Sequence, residues 1–148
     1  IVENFFELNL DSQLLKTLKA INFEIPTPIQ KEAIPKVLEG SDLIASAQTG
    51  TGKTGAFLLP AIHRLASDPS TYRNGPRVLI LVPTRELAEQ VSKESVRFSK
   101  DNPQIKTVCI YGGMPYRLQN LELSKPYQIL VCTPGRLMDH MERGRIDL

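Results

Sequence analysis

Apolar positions along the chain follow two habits, short solid runs and longer stretches at helical spacing. Four runs are solid: DLIASA (Asp42–Ala47), RVLILV (Arg77–Val82), KTVCIY (Lys106–Tyr111) and QILVCT (Gln128–Thr133). Runs this apolar, without clean alternation, predict strands buried on both faces of a parallel sheet. Helical patterns separate them. Lys53 to Leu65 carries Ala56, Leu59, Ile62 and Leu65 at helical spacing, and Arg85 to Phe98 carries Leu87, Val91, Ser95 and Phe98. A weaker helix follows Tyr116 and another begins near Gly135. Strand alternating with helix predicts an α/β fold, an open right-handed parallel sheet flanked by helices on both faces.

Upstream of the first strand, Asp11 to Asn22 reads as a helix with Leu14, Leu15, Leu18 and Ile21 on one face and Asp11 as its N-cap. A proline-punctuated piece, IPTPIQKEAIPKVLEG, ends at Gly40, and Ser67–Pro76 has the composition of a surface loop. The expected organisation is an extension over 1–40 followed by the α/β region over 41–148.

Composition changes this picture little. The 148 residues suit one core, and 41% hydrophobic with 23% charged residues is ordinary for a globular domain. Net charge is only +2, so a polyanion must be met by a local patch. Cys109 and Cys132 sit inside apolar runs, which predicts buried, reduced strand residues rather than a disulfide or metal site. His63 and His140 lack metal-ligand company and read as surface or packing residues. No apolar stretch approaches the roughly 18 residues of a membrane span and no signal peptide is visible, so a cytoplasmic protein is expected.

The first strand runs into A-Q-T-G-T-G-K-T, Ala47 to Thr54, then a helix. In that context G-x-x-x-x-G-K-[ST] marks a phosphate-binding loop, here with alanine at the first glycine. Backbone N–H groups of Gly50 to Thr54 can wrap phosphates at a helix N-terminus, where the dipole favours anions. Lys53 supplies a charge for the β- and γ-phosphates, and the Thr54 hydroxyl can ligate Mg²⁺. The same residues satisfy G-x-G-x-x-G as Gly50, Gly52 and Gly55, the dinucleotide fingerprint of an oxidoreductase. That reading needs an acid at the end of the second strand, which instead ends Val82-Pro83-Thr84. A nucleoside triphosphate fits better.

Each later strand also stops in an unusual turn: PTRELAEQ (Pro83–Gln90), Gly112–Gly113, and TPGRL (Thr133–Leu137). In an open parallel sheet all of these emerge at the carboxyl edge, where ligands bind. Two readings are open. Thr84 is a good N-cap, Thr133-Pro134 is an N-cap followed by proline at N1, and Gly112–Gly113 is a plain turn. Alternatively, exposed N–H groups with Arg85 and Arg136 form a track for a nucleic-acid backbone, gripped without reading its sequence. Hydroxyl and backbone contacts along one strand suit RNA.

AQTGTGKT, PTRELAEQ, GG and TPGRL, in this order, resemble motifs of the DEAD-box family of ATP-dependent RNA helicases. FEIPTPIQ upstream resembles the family's Q motif, with Asn22 where glycine is usual, and alanine at position 47 is usual there. The match runs from about Phe5 to Leu137. It implies a RecA-like P-loop NTPase domain, the first of a two-domain motor that uses ATP and Mg²⁺ and works on RNA together with a second RecA-like domain. Lys53 and Thr54 would be catalytic, with Thr54 on the metal. Ala47, Gln48, Thr49, Gly50, Thr51 and Gly52 would join them around the nucleotide. Gln30 would read the adenine edge, Phe23 would stack on the base, and Phe5 is similar to the family's isolated upstream aromatic. Pro83, Thr84, Arg85, Gly112, Gly113, Thr133, Pro134, Gly135 and Arg136 would contact RNA. Packing remains an alternative for Phe5 and Phe23, and is the expectation for Gly55 and Phe57.

The family's Asp-Glu-Ala-Asp motif would follow the next strand, past Leu148, so the chain is expected to be part of a longer protein and inactive alone. A non-catalytic RNA- or nucleotide-binding module is the remaining alternative.

Overall fold

The computed structural model describes residues 4–23, 25–40, 53–68 and 76–148. They fall into two compact units, Ile1–Ser67 with Phe98–Asn102, and Asp68–Arg97 with Pro103–Leu148. The predicted strand Asp42–Ala47, the loop residues 47–52 and most of Ser67–Pro76 lie outside the described residues.

The first unit is helical. A 3-10 turn, Phe5–Leu8, precedes α1 (Ser12–Ala20), α2 (Pro28–Leu38) and α3 (Lys53–Ser67). The Asp11 carboxylate caps α1 as expected, accepting from the Leu14 N–H at 3.1 Å. The Asp11 N–H in turn donates to His63 Nδ1 at 2.8 Å, so His63 is a packing residue that pins the helix start. Two residues past the end of α1 the chain turns at Asn22, whose φ of 58° is left-handed. There the Phe23 N–H bonds the Leu18 carbonyl at 2.8 Å and the Asn22 N–H bonds Lys19 at 3.2 Å. That pair of bonds is a Schellman cap, in which asparagine is the common substitute for glycine. Leu14 and Leu18 are buried as the spacing predicts, and Thr17 is buried beside them. Its hydroxyl is satisfied by the Asp101 carboxylate at 2.6 Å. α3 buries Ala56, Leu59, Ile62 and Leu65, together with Leu58 and Pro60, and packs along α2. Phe57 departs from the packing expectation and is 40% exposed.

The second unit alternates β1 (Val78–Leu81), α4 (Arg85–Phe98), β2 (Thr107–Ile110), α5 (Tyr116–Leu123), β3 (Ile129–Cys132) and α6 (Pro134–Glu142). The strands form a parallel sheet of order β1-β3-β2, with β3 inserted between the two earlier strands. Register aligns Leu81 with Cys132 and Ile110 with Cys132, so the three carboxyl ends finish level. Helices cover both faces. On one, Ser95 of α4 bonds Thr107 of β2 at 2.7 Å. On the other, Val108, Ile110, Leu130 and Cys132 form a core with Leu137 of α6 and Ile146. Each such fully buried aliphatic contributes about 1.5–3 kcal/mol.

Burial on both faces holds for β3 alone. On β1, Leu81 is 51% exposed, whereas Ile110 of β2, the other outermost strand of these three, is fully buried. α4 has the predicted ends, but its inward stripe is Ala88, Val91, Ser95 and Phe98, while Leu87 is 40% exposed. Both cysteines are free; Cys132 is buried and Cys109 half-buried. Burial pushes the Cys132 thiol up to about 11, so it is protonated and inert.

Candidate functional site

In the helical unit, three features gather the residues expected at a nucleotide. Lys53 and Thr54 open α3, Lys53 exposed and Thr54 half-exposed. The first-turn N–H groups of a helix have no intrahelical partner, so this end favours an anion. Ala47, Gln48, Thr49, Gly50, Thr51 and Gly52 lie outside the described residues.

Gln30 is buried in the first turn of α2 and completes a capping box. Its N–H donates to Thr27 Oγ1 at 3.4 Å, and its Oε1 accepts from the Thr27 N–H at 3.0 Å. The amide is thereby fixed in direction rather than free to rotate. Gly55 of α3 packs directly on it: a Cβ there would lie 2.6 Å from Gln30 Nε2. The expectation that Gly55 serves packing is met, and what it packs is the amide.

Phe23, placed by the Schellman cap, stacks on Phe5 with ring centroids 5.2 Å apart and meets Phe98 edge-on at 5.4 Å. Phe5 is 1% exposed, so it supports Phe23 from within the core, and Phe23 is the half-buried ring of the pair.

In the sheet unit, the level strand ends bring three turns to one edge. After β1, Thr84 caps α4 by accepting from the Leu87 N–H at 3.2 Å, leaving Pro83, Thr84 and Arg85 exposed. After β2, Gly112 and Gly113 are exposed, and Gly113 has φ of 97°. Arg85 reaches this turn: its guanidinium lies 5.7 Å from the Tyr111 ring centroid, and a Cβ on Gly113 would sit 3.8 Å from Arg85 Nη1. After β3, Thr133 precedes Pro134 at the start of α6, and its side chain makes no cap bond to the helix. Pro134 and Gly135 are exposed, and a Cβ on Gly135 would meet nothing within 4 Å. The helix-cap reading therefore accounts for Thr84 and leaves Thr133 without that role.

Gly112 and Gly113 differ in a testable way. Gly112 has open space around a Cβ, whereas Gly113 sits where an L side chain is strained. Gly113→Ala is expected to cost about 1 kcal/mol or more of stability and Gly112→Ala a few tenths at most. Urea unfolding of the two variants checks the order.

Arg136 is half-buried and bound to its own chain. Its Nη1 donates to the Met114 carbonyl at 3.0 Å and to Gln119 Oε1 at 3.1 Å, and its guanidinium lies 4.1 Å from the Tyr116 ring centroid. Gln119, fully buried on α5, donates through Nε2 to the Tyr111 carbonyl at 2.9 Å. Its Oε1 also meets His140 Nε2 at 2.7 Å. Because Oε1 only accepts, His140 carries its proton on Nε2. Tyr116, tilted against His140, donates its hydroxyl to Asp139, which also pairs with Arg143 at 3.3 Å. That hydrogen bond holds the Asp139 carboxyl below its ordinary value and raises the Tyr116 hydroxyl.

His140 is buried, and its Nδ1 has no hydrogen-bond partner among the described residues. Burial, then the positive charges of Arg145 and Arg136, lower its pKa below 6.5; Arg143 adds to this and Asp139 opposes it. The folded imidazole is therefore neutral where the unfolded one already takes a proton. Stability from this source is complete above 6.5 and falls as pH drops toward the lower folded value. The loss is expected to approach, at most, about 1.4 kcal/mol per pH unit. Urea unfolding between pH 7.5 and 5.5 should show this fall in wild type and a flatter profile in His140→Gln.

Among the described residues no group of three His, Cys, Asp or Glu side chains could hold a metal ion, and no helix is long and apolar enough to cross a membrane.

A parallel sheet with helices on both faces, a lysine-threonine helix start and three converging strand-end turns define a RecA-like nucleoside-triphosphate domain. Residues 27–148 match the family model described as DEAD/DEAH box helicase, and the chain belongs to that family. It is 45% identical over 144 residues to the ATP-dependent RNA helicase DeaD of Escherichia coli, covering 97% of this chain and 22% of that protein. It is 44% identical over 143 residues to the DEAD-box ATP-dependent RNA helicase RhpA of Helicobacter pylori, covering 97% of this chain and 28% of that one. Among solved structures, it superposes on the yeast DEAD-box splicing factor Prp28 with a TM-score of 0.91 at 34% identity. The match covers 99% of this chain and 36% of that chain. Family membership sets aside the dinucleotide reading of Gly50, Gly52 and Gly55.

Gln119, Tyr116, Asp139 and His140 escaped the sequence reading as site residues. Gln119 is one of several polar residues in α5, beside Arg117, Asn120 and Glu122, and nothing at helical spacing marks it as the buried one.

Proposed function

We propose that the protein carrying this chain is an ATP-dependent RNA helicase, in which ATP binding and hydrolysis are coupled to RNA binding and remodelling. The observation that carries the reading is the level carboxyl edge, where Pro83–Arg85, Gly112–Gly113 and Thr133–Arg136 converge. Residues 1–40 act as the Q-motif extension of a RecA-like domain formed by 41–148, working in the cytoplasm with a second such domain. Lys53 meets the β- and γ-phosphates. Thr54 offers a hard hydroxyl oxygen in the first turn of α3, the donor type that suits Mg²⁺. When bound, that ion neutralises charge developing on the transferred phosphoryl group. Phe23 stacks on adenine. Gln30 presents its amide to the N6 and N7 edge, its direction already set by Thr27.

The turns hold phosphate and sugar, so RNA affinity carries little base preference. The test measures RNA-stimulated phosphate release by the full-length protein with ATP and with GTP. Preference for ATP is expected, lost in Gln30→Ala because guanine reverses the donor–acceptor pattern at a cost of about 1–3 kcal/mol. Arg85→Ala is expected to lower the log–log salt slope of single-stranded RNA binding by about 0.7, one phosphate contact. No ATP turnover in wild type, or a preference unchanged in Gln30→Ala, would overturn the reading.

A further inference from the structure

The carboxyl edge contains a part that touches no solvent. Gln119 is fully buried, yet each polar atom of its amide is bonded, and its partners belong to different turns. Nε2 donates at 2.9 Å to the carbonyl of Tyr111, the residue before Gly112. Oε1 accepts from Arg136 Nη1 at 3.1 Å and from His140 Nε2 at 2.7 Å, both on α6. Arg136 Nη1 closes the ring by donating at 3.0 Å to the Met114 carbonyl, on the far side of the glycine pair. The Gly112–Gly113 turn is therefore clasped at both flanks. Gln119 holds the residue before it and Arg136 the residue after it, and the two side chains hold each other.

We infer that Gln119 is a positioning residue that keeps the Gly112–Gly113 turn and the start of α6 in one fixed register for a single-stranded RNA backbone. This rests on the reading of the carboxyl edge as an RNA track. The chemistry requires this side chain. The clasp needs a donor toward Tyr111 and an acceptor toward Arg136 and His140, on adjacent atoms, without charge. Glutamate keeps the acceptors and loses the donor, setting an oxygen against the Tyr111 carbonyl. Leucine fills the space and supplies neither.

The turn has reason to need a clasp. Gly112 and Gly113 carry no side chains to anchor themselves, and Gly113 holds a left-handed φ of 97°. Backbone N–H groups that grip phosphate must be preset, since misplacement of about 1 Å in a binding group is costly.

The experiment uses the full-length protein, a fluorescein-labelled ten-nucleotide oligouridylate and a non-hydrolysable ATP analogue. Gln119→Leu is expected to weaken RNA binding about tenfold, the size set by leaving buried polar groups unpaired. Analogue affinity without RNA should stay within about twofold, since the phosphate-loop contacts are untouched. Imidazole nitrogen shifts should report the Nε2–H tautomer of His140 in wild type and its loss in Gln119→Leu. A purely structural role would lower both affinities together as folded protein is lost, and that result overturns the inference. Should Gln119→Leu fail to fold, Gln119→Glu decides. Weakened RNA binding with retained analogue binding supports positioning, and wild-type RNA binding overturns it. Wild-type protein that fails to bind the oligouridylate overturns the RNA reading itself and the inference with it.

Discussion

Lys53→Ala in the full-length protein is expected to reduce RNA-stimulated ATP turnover by at least about a hundredfold, the size seen when one preorganised donor to a developing charge is removed. The reasoning starts from A-Q-T-G-T-G-K-T, which contains one cation and no other charge. Lys53 stands at the exposed first position of α3, where N–H groups without an intrahelical partner favour an anion. Backbone donors there can hold phosphate but add no formal charge, and charge-assisted bonds are about twice as strong as neutral ones. Arg64 on the same helix is directed elsewhere, donating from Nη2 to the Val37 carbonyl at 3.2 Å. Folding should be unaffected, since the side chain is exposed and alanine is the stronger helix former. Steady-state phosphate release decides the matter, with the thermal midpoint as control. Turnover within threefold of wild type would remove Lys53 from the triphosphate.

The legible parts of this chain are those governed by local rules. Asp11 caps α1, the three described strands lie inside the apolar runs, and α4 spans Arg85–Phe98 as the spacing indicated. Carboxyl ends at one edge follow once strands are known to be parallel, whereas their finishing level is set by the register. Where the reading missed, size misled it. Leu87 is the larger side chain, but the stripe facing the sheet begins at Ala88, and a single residue of phase moves leucine into solvent. Arg136 shows a different limit. Its place after Thr133-Pro134-Gly135 suggested a phosphate contact, and nothing in that spacing announced the bonds its Nη1 makes to Met114 and Gln119. No pattern along the chain links Gln119 to Tyr111, Arg136 and His140, because the sheet order β1-β3-β2 is what brings β2 and β3 side by side. A buried polar network belongs to the tertiary level, and only the folded geometry exposes it.

Gly55→Ala is the substitution whose effect should change sign with its neighbour. In the wild-type background the new Cβ would stand 2.6 Å from Gln30 Nε2, closer than packed atoms tolerate, and 3.4 Å from its Cδ. An exposed amide would swing aside at small cost. This one is buried, and its Oε1 holds the Thr27 N–H at 3.0 Å, so yielding opens the capping box of α2. Losing that cap costs about 1 kcal/mol. Against it stands the gain of alanine over glycine within a helix, about 0.5–1 kcal/mol, and smaller in a first turn. The net expectation is destabilisation by several tenths to about 1 kcal/mol. ATP-over-GTP preference should be lost as well, as Gln30 leaves its set direction. In Gln30→Ala the obstructing amide is gone and only the helix gain remains, so adding Gly55→Ala should stabilise the protein by a few tenths of a kcal/mol. A double-mutant cycle by urea unfolding measures the coupling directly. If Gly55→Ala shifts stability by the same amount in both backgrounds, the glycine is not there to seat the Gln30 amide.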